Sequence, residues 1–370
     1  MLLYFALAFT LFPLTLYCSS KEYQINDGTL AIGKTTLFLF ISITIILGGI
    51  RWKTGADWTN YYNYFYNNQA WDEFYGKFEI SYAFLNFFIK KYFGLYTVLL
   101  FFMSFAVIFL RYNTIKVIAI YPALSYYFFF CDNIGGMFPV RQTLAIAIAL
   151  TSIYFIHKKN KKAFILITTL AVTFHMSLFI WFISYPLYHK KIRTSTILLL
   201  LIVATIIGMF GTKLFTLIVE ATLARFQITG AISTKIQIYI LGNYSDGSFS
   251  LFRMLLSFIK RLVFVLLFLF LRNKLTHHYL YASGLINLYL ISNIIYSLFA
   301  FNEALAPMAR MVTPFLFLEV LLFPAILKLC KHNYSKYILL YLFFFYGLMK
   351  LHSALTTYPD AFMPYKSIIS

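Results

Sequence analysis

The chain has 370 residues, of which 61% are hydrophobic and 12% charged, and its mean hydropathy is +0.77. A soluble domain carries about 25% charged residues, so this chain lacks the polar surface to cover a core in water. The composition excludes a soluble globular class and defines an integral membrane protein. The formal charge of +19 does not point to nucleic acid, because the basic residues sit in short loops between apolar runs, as a polytopic protein requires.

A membrane span needs ~20 apolar residues, within a range of about 17–25. Residues 1–17 lack a basic leader and a small-residue cleavage site, and read as a retained span rather than a removable signal peptide. Further spans are expected at 35–50, 95–110, 117–131, 142–156, 195–210, 262–271 with its upstream half, 280–300, 312–327 and 337–351. Residues 80–94 are short and hold Lys90-Lys91, so they either lie in the interface or re-enter. Residues 163–188 form an apolar run interrupted by His175. The expected fold is all-α: one polytopic membrane domain over 1–370, with roughly 10–13 transmembrane or re-entrant helices. Residues 211–252 form a long extracytoplasmic loop within it, read as a lid or partly re-entrant. The scattered Cys18, Cys131 and Cys330 match no metal or redox spacing and read as packed thiols.

The densest basic loops, His157 to Lys162 and His189 to Arg193, are assigned to the cytoplasm. If both flanks of 163–188 are cytoplasmic, that segment turns back as a helical hairpin with His175 near its tip; one long tilted span is the alternative. Propagating this orientation puts Arg111/Lys116, Arg272/Lys274 and Lys328/Lys331/Lys336 inside. It puts 51–79, 132–141, 211–253, 301–311 and 352–370 outside. Nine of the twelve acids then face outward, so the outer face carries both signs of charge, as a polar site does.

Ionisable groups near hydrocarbon are costly and point to function. The turn Arg51-Trp-Lys-Thr-Gly-Ala-Asp57 places two cations, a glycine and an acid at the end of a span. Arg141 follows Gly135-Gly-Met-Phe-Pro139 at a helix start, where free N–H groups and the helix dipole favour an anion. Arg310 also opens a helix. Arg253, Ser257, Lys260 and Arg261 fall at i, i+4, i+7 and i+8, the spacing of one cationic stripe. Bidentate arginine suits phosphate and pyrophosphate, so Arg51, Arg141, Arg253, Lys260, Arg261 and Arg310 are candidate pyrophosphate contacts. The bland reading of each cation is snorkelling to headgroups. Asp57 and His175 are the candidate catalytic bases. Either could instead be structural, Asp57 paired with Arg51 and His175 bonded to a carbonyl. Glu319, inside a span, is a core hydrogen-bonder or part of an ion pathway. Trp58, Tyr61, Tyr62 and Gln142 are candidate sugar contacts, since rings stack on the C–H faces of sugars. The chain has no Asp-x-Asp pair, Walker-type loop or His-Glu-x-x-His spacing, and no metal or cofactor is expected.

Four short motifs in order resemble the EpsG family of bacterial membrane proteins, related to Wzy-type repeat-unit polymerases. They are Arg51…Gly55-Ala-Asp57…Tyr61/Tyr62, Val140-Arg141-Gln142-x-x-Ala145, Phe174-His175-x-Ser177 between two basic loops, and Ala309-Arg310 before an apolar span. Met137-Phe138-Pro139 depart from the family's pattern, which is more polar or aliphatic there. The resemblance implies inverting transfer of a growing glycan from undecaprenyl pyrophosphate to the next lipid-linked repeat unit, at the outer face of the bacterial cytoplasmic membrane. Arg51, Arg141 and Arg310 would hold the donor pyrophosphate, and His175 or Asp57 would activate the acceptor. The implied partners are undecaprenyl-pyrophosphate-linked glycans, membrane lipid, a chain-length regulator and a flippase. Competing readings are a lipid-linked oligosaccharide flippase or transporter, for which no repeated halves are seen, and a glycosyltransferase fed by a prenyl-phosphate sugar. A membrane acyltransferase is weaker still, because His175 has no clear partner in sequence.

Overall fold

The computed structural model of the protein describes residues 1–20, 27–55, 57–211, 251–301, 311–357 and 359–369, with the single residues 217, 221 and 225. The long loop expected at 211–252, with its amphipathic and turn-rich parts, lies almost wholly outside the described residues. Those residues are mainly helical, without a strand; Arg51 and Ser367 form an isolated antiparallel bridge. The chain packs into two compact units, Met1–Tyr185 with Glu319–Ser370, and Pro186–Leu318.

The first unit opens with α1 (Leu2–Ser20), α2 (Asp27–Ile50), α3 (Trp58–Asn67) and α4 (Ile80–Phe93). Then come α5 (Tyr96–Ile118), α6 (Pro122–Asn133), α7 (Arg141–His157) and α8 (Lys161–Phe174). The second unit holds α9 (Thr194–Phe210), α10 (Leu251–His278) and α11 (Ala282–Phe299). The chain then runs through α12 (Leu318–Ala325) and α13 (Asn333–Thr357). Among the described residues, α5, α11 and α13 are long and apolar enough to cross a membrane.

Several expected spans differ from the helices observed. The run expected at 117–131 splits, because Pro122 cannot continue α5 but fits the first turn of a new helix. The resulting α6 has 12 residues, ~18 Å long, and is buried at every position from Ala123 to Cys131. It is a core helix rather than a lipid-facing span. The run at 312–327 is broken into Thr313–Leu316, α12 and a 3-10 turn Ile326–Leu329. Pro314 fits the first turn of the first piece, and Pro324 lies within α12 just ahead of the 3-10 turn, where its missing N–H removes a helical donor.

The two ambiguous segments differ in form. α4 is one uninterrupted helix of 14 residues, ~21 Å long. At its start Glu79 pairs with Arg141, the first residue of α7. At its end Lys90 donates to the carbonyls of Tyr66 and Asn68 at the end of α3 (2.7 Å each). Just beyond, Tyr96 at the start of α5 meets Trp58. α3 and the start of α5 therefore pack along α4. After α8, the chain reverses at His175, continues as a 3-10 stretch Met176–Ile183 and ends in Ser184–Tyr188. The hydroxyl of Tyr185 donates to the carbonyl of Lys159 (3.0 Å), and Phe164 packs on Phe182 and Tyr185. Trp181 donates to Ser152 Oγ (2.9 Å), fixing the returning limb on α7. The segment is a hairpin with His175 at its tip.

Arg111 also departs from the sequence reading. It is not in a loop with Lys116 but buried in α5, its guanidinium 5.3 Å from the Phe129 ring. In the second unit, Arg272 donates to the Ile192 carbonyl and to Asn287 Oδ1 (2.7 Å each). Asn287 Nδ2 in turn donates to the carbonyls of Leu187, Tyr188 and Lys190. These bonds satisfy the backbone of the second basic loop.

Candidate functional site

The Arg51 turn is built by two distant parts of the chain. α2 ends at Ile50, and the C-terminal segment folds across the next residues. Trp52 N–H donates to the Lys366 carbonyl (2.9 Å), Ile368 N–H to that of Ile50 (2.8 Å) and Gly55 N–H to that of Ala361 (2.5 Å). Tyr365 donates to the Leu47 carbonyl (2.6 Å), and burial pushes its hydroxyl up to about 12, so it stays a neutral donor. Arg51, 3% exposed, is thereby held inside, with Nη2 donating to the Pro139 carbonyl (3.2 Å). Its Nε is buried with no hydrogen-bond partner among the described residues. Burial lowers its pKa, an effect opposed by the nearby Tyr96 and Tyr82. Pro139 belongs to the loop that leads to Arg141. This loop leaves α6 through three left-handed residues, Ile134, Gly135 and Gly136 (φ 49°, 64° and 69°), a conformation two glycines make accessible. Asp57 sits left-handed and exposed at the start of α3 and accepts from Asn60 Nδ2 (3.4 Å). Among the described residues it forms no ion pair with Arg51, so a loop-holding pair between them is not what the fold uses.

Arg141 is the centre of the site. Its Nη1 pairs with Glu79 Oε2, its Nε donates to Tyr61 Oη (3.3 Å), and its guanidinium lies 3.9 Å from the Phe78 ring centroid. The other oxygen of Glu79 accepts Met176 N–H (3.3 Å). One carboxylate thus ties the start of α7 to the hairpin tip. On the next residue, Gln142 Nε2 donates to Ser177 Oγ (3.3 Å), which is 2.8 Å from His175 Nδ1. Ser177 N–H donates to that same Nδ1 (3.3 Å). A ring nitrogen that accepts carries no proton, so the neutral imidazole holds its proton on Nε2. The fold therefore brings Arg141, Gln142, His175 and Tyr61 together.

The aromatic candidates are placed unevenly. Trp58 and Tyr61 are buried. Tyr62 is half-buried, stacked on Trp58 with centroids 4.7 Å apart and packed on Tyr66 at 4.6 Å. Burial raises the Tyr61 hydroxyl, while the Arg141 charge beside it acts the other way.

The remaining candidate cations belong to other parts of the chain. Lys260 and Arg261 lie in the second unit. Lys260 is exposed, whereas Arg261 turns inward, its guanidinium 3.9 Å from the Tyr296 ring. Ser257, one turn earlier, meets the Tyr296 hydroxyl at 3.2 Å. Residues four apart share a face and residues three apart share it less closely. The expected single stripe is therefore divided. The Arg253 side chain and the whole of Arg310 lie outside the described residues.

Two groups were not singled out by sequence. Glu79 is one of twelve acids in the chain, and only its contact with Arg141 distinguishes it. Lys350 lies within α13, its Nζ 3.0 Å from Asp132 and 2.8 Å from Glu319. Glu319 is thus partnered in a buried ion pair with Lys350. Among the described residues no group of three or more His, Cys, Asp or Glu could hold a metal ion.

A helical chain with lipid-compatible spans, gathering arginine, carboxylate, amide, imidazole and aromatic groups at the hairpin tip, is a membrane protein with a polar side-chain cluster. The chain belongs to the EpsG family, whose family model matches residues 34–367, nearly all of it. Members of that family are Wzy-type polymerase-like, which makes this a membrane protein of polysaccharide biosynthesis. Searches of curated proteins and of solved structures gave no match.

Proposed function

We propose that the protein polymerises undecaprenyl-pyrophosphate-linked oligosaccharide repeat units at the outer face of the bacterial cytoplasmic membrane. The reaction is an inverting, metal-independent glycosyl transfer that builds a surface polysaccharide. The observation that carries this reading is the tie of Arg141 through Glu79 to the tip that bears His175. It sets a bidentate cation and an imidazole donor side by side, as a leaving pyrophosphate requires.

In this reaction the acceptor hydroxyl oxygen attacks the anomeric carbon from the face opposite the pyrophosphate. The carbon–oxygen bond to phosphate breaks, and undecaprenyl pyrophosphate leaves. Arg141 and the unpartnered Nε of Arg51 take the charge that develops on phosphate oxygens. His175, protonated on Nε2, gives a hydrogen bond to the same group. That tautomer suits a donor rather than a base, which leaves Asp57, exposed at the start of α3, to take the acceptor's proton. Tyr62 offers a ring edge to the sugar. A flippase delivering repeat units and a chain-length regulator are the expected partners.

The test is glycan chain-length analysis in a deletion strain carrying the gene back on a plasmid. Wild-type protein restores ladders, and Arg141→Ala leaves single repeat units on the lipid or cell surface. Normal ladders with Arg141→Ala would reject the site, and loss of all surface units in the deletion strain would reject the polymerase reading.

A further inference from the structure

Immediately beside the polar cluster lies an apolar groove of about 510 Å³. Its walls are Trp71, Ile80 and Phe84 from the α4 region, Phe102 of α5, and Leu170 and Phe174 of α8. Ile80 follows Glu79 in the chain and Phe174 precedes His175, so both walls begin at residues of the site. Ser81 donates to Thr173 (2.8 Å) and bridges them. Trp71, Ile80, Phe84 and Leu170 are 37–56% exposed, so the groove is open along its length. Phe102 lies six residues beyond Tyr96, ~9 Å further along α5, so the groove runs along the outer side of α5 away from its Tyr96 end.

We propose that this groove holds the isoprenoid chain of the lipid pyrophosphate whose head group meets Arg141. The inference rests on the polymerase reading above and names where its lipid substrate lies. Three observations choose this occupant. An apolar channel ending at a guanidinium and an imidazole donor is complementary to an amphiphile with an anionic head. Of the residues that line it, Ser81 alone is polar, as a hydrocarbon occupant requires. Four of its six named walls are aromatic, flat faces against which a branched, unsaturated chain packs in dispersion contact.

The experiment measures binding of undecaprenyl pyrophosphate and of geranyl pyrophosphate to the full chain in phosphatidylethanolamine–phosphatidylglycerol nanodiscs. Leu170→Trp fills the groove, and Phe345→Trp, on an exposed position of α13, controls for added bulk. Leu170→Trp is expected to weaken the long-chain ligand about tenfold, because many buried methylene groups lose contact. The short-chain ligand should change by less than about twofold, and Phe345→Trp should change neither. A photoactivatable isoprenoid pyrophosphate on the wild-type protein should label peptides containing Phe84 or Leu170, a readout independent of how the variant folds. Equal long-chain affinity in Leu170→Trp and wild type, with loss of binding in Arg141→Ala, would overturn the groove while leaving the polymerase reading intact. Labelling confined to α13, or equal competition by phosphatidic acid, would also overturn it. Failure of the wild-type protein to bind undecaprenyl pyrophosphate at all would overturn both.

Discussion

A Cβ placed on Gly55 would stand 2.6 Å from Nη1 of Arg51. The glycine also adopts φ +114°, a region that L side chains rarely enter. The Arg-x-x-x-Gly spacing thus has a physical cause: the turn must bend tightly and must leave room for the guanidinium that it encloses.

Gly55→Ala should therefore behave like a weak Arg51 variant. Strain of about 1–3 kcal/mol is expected in the turn, and the guanidinium must move off the Pro139 carbonyl. Polymer length should shorten as it does in Arg51→Lys, with a lowered unfolding temperature in detergent. Wild-type ladders in Gly55→Ala would show that the position of Arg51 is not critical.

Glu79→Gln keeps an acceptor for Met176 N–H but removes the charge facing Arg141. A guanidinium misplaced by about 1 Å can cost roughly 100-fold in rate, so in-vitro polymerisation should fall by at least about tenfold. Protein yield should hold, because both side chains are partly exposed, at 18% and 23%. An unchanged rate would mean that Arg141 is positioned by Tyr61 and Phe78 alone.

Lys350 bridges two carboxylates inside the first unit, Asp132 and Glu319. Lys350→Met leaves Glu319, whose side chain is 7% exposed, as an uncompensated buried charge. The cost should be about 3 kcal/mol, the low end for breaking a buried pair, since Asp132 still reaches solvent. Thermal unfolding in detergent would read it. Adding Glu319→Gln and Asp132→Asn should recover most of the loss, and no recovery would argue for a role beyond charge balance.

The hairpin makes a prediction about sidedness. Reporters fused after Lys162 and after Lys191 should give the same cytoplasmic signal. A cysteine at Met176, 66% exposed beside the tip, should react with an impermeant thiol reagent added outside. Opposite signals from the two fusions would mean that the segment crosses.

A base and a donor can be separated by substitution. Asp57→Asn should abolish transfer while the protein still binds undecaprenyl pyrophosphate. His175→Gln can still donate a hydrogen bond and should keep partial activity. The reverse order of severity, with Asp57→Asn active and His175→Gln inactive, would return the base role to His175.

The sequence by itself determined the class of protein and the order of its parts. Hydropathy and basic loops are local properties, so spans, loops and the hairpin between Lys162 and Lys191 could be read from neighbours in the chain. The same holds for Arg141 at the start of α7, because a helix terminus is a local event. Tertiary structure decided what these residues do together. Glu79 meets Arg141 across 62 positions and Lys350 meets Asp132 across 218. The tail at Lys366 bonds Thr54 across 312. No local signal encodes such pairings, since they arise from how buried helices share space. Proline placement had a similar effect: Pro122 cut the run at 117–131, which composition alone made continuous. The Arg51 turn, legible as a polar patch at a span end, became a site component only when the loop from α6 and the C-terminal segment closed around it. A buried guanidinium must find acceptors, and here the fold brings one of them, the Pro139 carbonyl, from far along the chain.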